Sequence, residues 1–324
     1  MGGPRRGGRS NVGITDAVGS SASSPGGRRP LILFHNQFFA DWHDFPDPCS
    51  TPCTFTTDSD AADDADAIVF HLPSLESDLP KRKASGQLWV AWSLESRVNC
   101  PRLDDRSFMA SFDLTMTYER SSDVWYPYFD PTIAAELQRP VVPRTATSPV
   151  VYLQANSFDR FDRLAFSGEV MTRVKVDSFG RIHRNQARTI PPGRRPRVAL
   201  YSRYKFTLAF ENSLATDYVT EKLYDPLIAG SVPVYRGARE VAELVPAPGC
   251  YIDASDFRSG RELGAYLNHL NSRDDEYLAY QQWREHPFSA LFQQHLATLR
   301  EPPLCRLAAL VAARAGGAPG YSAG

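Results

Sequence analysis

The chain lacks any long apolar run. A bilayer-crossing helix needs about 18 or more consecutive apolar residues, and the best stretch available, LAALVAA from Leu307 to Ala313, is far shorter. It also lacks the apolar core of a secretory leader, because residues 1–30, MGGPRRGGRSNVGITDAVGSSASSPGGRRP, are rich in Gly, Ser and Arg. Residues 1–29 therefore read as a disordered tail that cannot bury surface, with no membrane span in the chain. Gly2 invites N-myristoylation, but Arg6 stands where that motif wants Ser or Thr.

Charge of one sign is missing as well. With 36 Lys and Arg against 37 Asp and Glu, the net charge is −1, so no nucleic-acid partner is expected. The densest basic stretch, RTIPPGRRPR (188–197), is interrupted by prolines and reads as a solvated loop. Cysteines are few and odd in number: Cys49, Cys53, Cys100, Cys250 and Cys305. Cys49 and Cys53 with His43 have the spacing of half a metal site, but no second pair follows, which leaves a loop disulfide or free thiols. No Asn-x-Ser/Thr sequon is present.

What the chain does have is a core. Hydrophobic residues make up 42% and aromatics 11% of its 324 residues, a globular composition long enough for two domains. Short apolar runs recur at LILFHN (31–36), CTFTTD (53–58), DAIVFHLP (66–73), LWVAWSLES (88–96) and LTMTYER (114–120). After the proline-rich QRPVVPRTATSP (138–149), the rhythm resumes with VVYLQAN, RVKVDSFG, YKFTLAFEN, VPVYRG and CYIDASDF. Continuous apolar strands separated by helix-length connections predict parallel sheets covered on both faces. From Arg258 to Arg300 the chain reads as helical, with Leu263, Tyr266, Leu267 and Leu270 on one stripe. The expected architecture is α/β: two Rossmann-like domains, 30–146 and 147–300, facing a cleft, C-terminal helices, and a flexible tail at 301–324.

Ligands of open parallel sheets bind beyond the carboxyl ends of the strands. YKFTLAFENSLATDYVTEKLYDPLIAGSVPVYRG (204–237) fits that rule, with Glu211 and Asn212 at the end of a buried strand. A helix should start near Val219, capped by Asp217 or Thr220, and stop at Gly230. Pro226 should kink it. Glu221 and Lys222 then occupy the first turn, where free N–H groups, the helix dipole and the Lys222 charge make an anion site. Glu221 would repel phosphate and is better suited to accepting hydrogen bonds from sugar hydroxyls. Phosphate beside a hydroxyl-seeking carboxylate points to a nucleotide sugar, although acids in a first helical turn are also favoured by the dipole alone.

This stretch resembles the signature of the α1,3/α1,4-fucosyltransferases, glycosyltransferase family 10: Tyr-Lys-Phe, Phe-Glu-Asn, Asp-Tyr-Val-Thr-Glu-Lys, a Gly and Val-Pro-Val, in order and at the family's spacing. VKVDSFGRIHRN (174–185) is similar to the family's Val-Asp-Ser-Phe/Tyr-Gly segment, and FDLTMTYERSSDVWYPY (112–128) to its Thr-Tyr-Arg-Arg-x-Ser-Asp region. WSLES (92–96) and ADAIVFH (65–71) resemble two further segments, so that the likeness spans roughly residues 30 to 300.

The resemblance implies a GT-B fold, an acceptor domain followed by a GDP-fucose domain, and transfer of L-fucose from GDP-β-L-fucose to a GlcNAc hydroxyl of a glycan or glycoprotein, α1,3 linkage foremost, with inversion. It places the catalytic base at Glu95 and donor contacts at Asn212, Tyr218, Glu221 and Lys222. The diphosphate arginine falls at Arg184, with Arg181 as competitor. GDP is a good leaving group, so no general acid, no cofactor and no essential divalent metal is implied; the DSD of Asp58–Asp60 is taken as surface. A catalytically silent nucleotide-sugar or carbohydrate-binding protein of the same fold is the alternative. Eukaryotic members sit in the Golgi on an N-terminal membrane anchor that this chain does not show, while a bacterial-type form would be cytoplasmic.

Some positions depart from the family pattern. Arg97 follows Glu95-Ser96 where Ser-Pro is usual, and Ala308 stands where plant-type relatives carry a cysteine to pair near Cys305. Trp89, Trp92 and Trp125 are candidate sugar platforms, with core packing favoured for Trp89, and His183 reads as a loop histidine.

Overall fold

The computed structural model describes residues 29–36, 45–46, 48–76, 78–81, 83–155 and 161–315; nearly all of the expected N-terminal tail, His43 and the last residues of the expected C-terminal tail lie outside them. The first sheet contains β1 (Leu31–Phe34), β2 (Thr54–Thr56), β3 (Ala67–His71), β4 (Leu88–Ser93), β5 (Leu114–Thr117) and β6 (Val124–Trp125), in the order β2-β1-β3-β4-β5-β6. The second contains β7 (Val150–Tyr152), β8 (Val176–Ser178), β9 (Phe206–Phe210), β10 (Val232–Arg236) and β11 (Ile252–Asp253), in the order β11-β10-β9-β7-β8. Every neighbouring pair is parallel.

Between and after the strands run α1 (Arg106–Met109), α2 (Ile133–Leu137), α3 (Arg163–Met171), α4 (Arg194–Tyr201), α5 (Glu221–Ala229), α6 (Gly260–Asn271), α7 (Asp274–Ala279), α8 (Ala290–Thr298) and α9 (Pro303–Ala315). Parallel sheets need cover on both faces, and the apolar runs supply it. All residues of β3 and of β9 are buried. One face of the second sheet packs Phe206, Leu208 and Val234 against Val170 of α3 and Leu263 and Leu267 of α6. The other face packs Ala209 and Tyr235 with Leu223 and Leu227 of α5 and Ile133 and Leu137 of α2. Residues just beyond the first sheet thus belong to the core of the second.

The strand order of the second sheet reverses between β7 and β9, since β8 lies to one side of β7 and β9 to the other. Chain leaving the two strands diverges there and opens a crevice at their carboxyl ends. Gln154 after β7 and Asn212 after β9 both line it.

Three expectations change. The tail expected from residue 301 is helical from Pro303, and α9 turns back onto the first sheet, where Leu304, Leu307, Ala308 and Val311 join Ile32, Val69 and Trp92. Its alternating small and apolar residues make an amphipathic stripe too short for a membrane but wide enough to cover a sheet. Cys305 is bonded not to a neighbour in its own segment but to Cys49, which removes Cys49 from any metal pairing with Cys53. Finally, the basic stretch 188–197 is not wholly a loop, because α4 starts at Arg194. Trp89, Trp92 and Trp125 are all buried and serve as core. No helix among the described residues is long and apolar enough to cross a membrane.

The Cys49–Cys305 bond closes a sequence separation of 256 residues, so Cys305→Ser is expected to lower stability by about 2–4 kcal/mol. Denaturant unfolding of oxidised protein measures it; an unchanged midpoint would show that α9 is held by packing alone.

Candidate active site

Glu211 follows directly on β9 and is 3% exposed. A carboxylate buried at the end of a core strand has to be satisfied. Thr220 does most of this: its backbone N–H donates to Oε1 at 2.8 Å and its hydroxyl to Oε2 at 2.8 Å, while Lys222 Nζ lies 3.2 Å from Oε2. Thr220 is also the N-cap of α5, its hydroxyl accepting from the Lys222 N–H at 3.4 Å. Burial pushes the Glu211 carboxyl up, with Lys222 opposing. Gly237 lets β10 pass this close, because a Cβ there would stand 2.7 Å from Glu211 Cγ. The other end of α5 closes on Gly230 at φ +73°, a left-handed cap, and Pro226 lies inside the helix.

The helix tip faces a cavity of about 420 Å³. Its walls bring together Asn212, Glu221 and Lys222 with Arg163, Arg197 and Gln154. Burial works against charge on Glu221, but Lys222 and Arg197 outweigh it and hold the carboxyl below its ordinary range. Lys222 is likewise kept protonated, since Glu211 and Glu221 more than offset burial. Arg197 pairs at 2.5 Å with Asp225, which is wholly buried behind it in α5. Arg163, at the start of α3, is 3% exposed and reaches the carbonyl of Phe210 at 3.5 Å. The cavity wall therefore carries Lys222, Arg163 and Arg197 beside Glu221, with Glu211 paired to Lys222 and Asp225 to Arg197 behind it.

Glu95 comes from the other sheet. It leaves the carboxyl end of β4 in a turn fixed by Ser93, whose hydroxyl accepts from the Glu95 N–H at 3.1 Å and donates to the Glu95 carbonyl at 3.0 Å. Its Oε2 accepts from Asn99 at 3.0 Å and from the Tyr218 hydroxyl at 3.3 Å. Tyr218 stands just before the tip of α5, so this contact joins the two sheets' carboxyl ends. Burial, reinforced by Tyr128, Glu211 and Glu95 nearby, lifts the Tyr218 hydroxyl far above its ordinary pKa, and it stays a donor.

The turn that aims Tyr218 rests on Asp217 at φ +58°, a conformation Asp tolerates better than most residues. Arg120 of the first half holds it, with backbone N–H and Nε donating to its carboxylate at 3.0 and 2.9 Å. A further link, Ser213 to Ser96 at 2.6 Å, crosses beside Glu95.

Of the expected site residues, Asn212, Glu221 and Lys222 line the cavity, and Glu95 and Tyr218 meet each other just before the tip of α5. The structure does not bring Arg184 there. That side chain is exposed and donates to the carbonyls of Gln186 and Ala187, 3.1 and 2.8 Å away, in its own loop, and Arg181 is exposed too. Sequence reasoning missed Arg163, Arg197 and the anchoring work of Glu211. The signal for Arg163 was weak, one of two Arg in FDRFDRLAF; only the switch point between β7 and β9 singles it out. His183 is an exposed loop residue at φ +50°, its Nε2 3.0 Å from the Leu164 carbonyl. Asp58 to Asp60 are exposed, and no group of three or more His, Cys, Asp or Glu among the described residues is placed to hold a metal ion.

Comparison with known proteins adds to this geometry. The family profile described as "Glycosyltransferase family 10 (fucosyltransferase) C-term" matches residues 143–316, and "Fucosyltransferase, N-terminal" matches residues 27–129. The chain is 35% identical over 248 residues to human 4-galactosyl-N-acetylglucosaminide 3-alpha-L-fucosyltransferase FUT5, covering 74% of this chain and 64% of that protein. It is 34% identical over 247 residues to the FUT6 enzyme of the same description from Pan troglodytes, covering 74% and 67%. It is also 34% identical over 247 residues to 3-galactosyl-N-acetylglucosaminide 4-alpha-L-fucosyltransferase FUT3 of Pongo pygmaeus, covering 74% and 64%. The chain thus spans about two thirds of the length of these relatives. Among solved structures, an alpha1,3-fucosyltransferase with GDP-fucose superposes with a TM-score of 0.59 at 16% identity, covering 88% of this chain and 93% of that one. This likeness shows the GT-B fold.

Because Glu211 answers both the Thr220 N–H and Lys222, Glu211→Ala should destabilise the protein by about 3 kcal/mol or more. A melting curve matching wild type would show that α5 does not depend on it.

Proposed function

The chain belongs to the glycosyltransferase family 10 fucosyltransferases, and from that premise we propose that it moves L-fucose from GDP-β-L-fucose to a hydroxyl of N-acetylglucosamine, with inversion. The observation that carries this is the contact of Glu95 with Tyr218, which sets a carboxylate of the first sheet against the helix tip of the second.

In this reading the pyrophosphate lies against the free N–H groups at the start of α5, and Lys222 and Arg163 carry its charge. Arg163 takes the place that the resemblance gave to Arg184, because it lines the cavity and Arg184 does not. Glu221 and Asn212 accept and donate to hydroxyls of the donor. As the bond from the anomeric carbon to the β-phosphate oxygen breaks, negative charge grows on GDP, and those cations are already in position to stabilise it. Glu95 takes the proton of the attacking hydroxyl on the opposite face, as a single in-line displacement requires. Tyr218 and Asn99 hold the carboxylate in the meantime.

For the acceptor we propose the O3 hydroxyl of a galactosyl-N-acetylglucosaminide, the class printed in the names of the human and chimpanzee relatives. A Golgi-type setting suits the Cys49–Cys305 bond, since disulfides persist in oxidising lumens. No step calls on a metal ion.

Incubation of purified protein with GDP-fucose and a galactosyl-N-acetylglucosaminide tests the reading, with fucosylated product and GDP followed by mass spectrometry. Glu95→Gln should lower turnover by about 100-fold or more with GDP binding retained. Lys222→Ala and Arg163→Ala should each weaken GDP binding by about tenfold or more, and Arg184→Ala should leave it unchanged. Wild-type turnover in the Glu95 variant would remove the base from this scheme.

A further inference from the structure

Arg97 lies two residues beyond Glu95, in the turn that carries it. Its Nε donates to Glu119 Oε1 at 2.6 Å and its Nη2 to Glu119 Oε2 at 2.7 Å, a two-pronged fork. Its Nη1 donates to the Leu103 carbonyl at 2.8 Å and to Asp104 at 2.9 Å. One guanidinium therefore ties the Glu95 turn both to the segment after β5 and to the segment that closes its own loop. A planar fork of this kind fixes direction as well as distance, which a lysine ammonium does not.

The partner is as informative as the arginine. Glu119 is 9% exposed and sits between two residues that contact the Tyr218 turn. Tyr118 packs edge-on against Tyr218, ring centroids 5.0 Å apart, and Arg120 grips Asp217. The carboxylate that holds the Glu95 turn is thus one residue from each contact that holds the Tyr218 turn.

We propose that Arg97 and Glu119 are positioning residues of the transfer reaction: their ion pair sets the Glu95 turn against the tip of α5. This rests on the fucosyl-transfer reading above. Neither residue lines the cavity at the tip of α5, so their loss should act on the placement of Glu95. Misplacing a reacting group by about 1 Å can cost about 100-fold in rate.

The test is a double-mutant cycle of Arg97→Ala, Glu119→Gln and both together, with Arg97→Lys alongside. Turnover is measured under saturating acceptor and normalised to folded protein from melting curves. The expected result is a kcat about 10 to 100 times lower in each single variant, with KM for GDP-fucose and GDP affinity within about twofold of wild type. The double variant should be no worse than either single one, because the two act as a unit, and Arg97→Lys should recover part of the loss. Wild-type kcat in folded Arg97→Ala, or additive losses in the double variant, would overturn the inference while leaving the functional reading intact. A wild-type protein that transfers no fucose would overturn that reading itself.

Discussion

A carboxylate with no access to water holds the donor side of this molecule together. Glu211 ends a strand buried along its whole length, and its charge is tolerable only because Thr220 and Lys222 come to it. Those same bonds decide where α5 begins, and the start of α5 decides where free N–H groups, Glu221 and Lys222 face the crevice. The many charges at the edge of this core thus stand in a sequence of dependence. The innermost one fixes the helix, and the outer ones, Glu221 and Lys222, are left lining the cavity.

The second constraint is that two separately built sheets have to present their carboxyl ends to each other. Tyr218 reaches Glu95, Arg120 reaches Asp217, and Ser213 reaches Ser96. None of these contacts is extensive, and hydrogen bonds of this kind contribute modestly one by one. Their value lies in direction: each fixes a turn rather than a surface. In the proposed reaction, a base and a leaving group on opposite walls need that directional control more than they need affinity. Packing reinforces it, with α2 seated on the second core and α9 returning to the first.

Much of this was legible in the residues. Continuous apolar runs marked the strands, because parallel strands buried on both faces have no polar alternation to confuse them. Gly230 was readable as the end of α5 and Thr220 as one of two candidate starts beside Asp217, since caps have local rules. What was not legible depended on distance along the chain. Arg163 and Lys222 are far apart in sequence and line one cavity because the strand order reverses between β7 and β9. Cys305 found its partner in Cys49, which no local spacing announces. Arg184 carried a plausible local motif, yet its guanidinium turns back onto its own loop. The Arg188–Arg197 stretch misled for a related reason, since three prolines and a glycine hide a helix whose first turns face a buried aspartate.

The central claim is geometric: one nucleotide sugar spans the space between the α5 tip and Glu95. A crystal structure of the protein with GDP-fucose bound tests it most directly. The account predicts pyrophosphate oxygens on Lys222 and Arg163, with the fucose anomeric carbon turned toward the Glu95 carboxylate. Nucleotide bound elsewhere, or fucose turned away from Glu95, would contradict it.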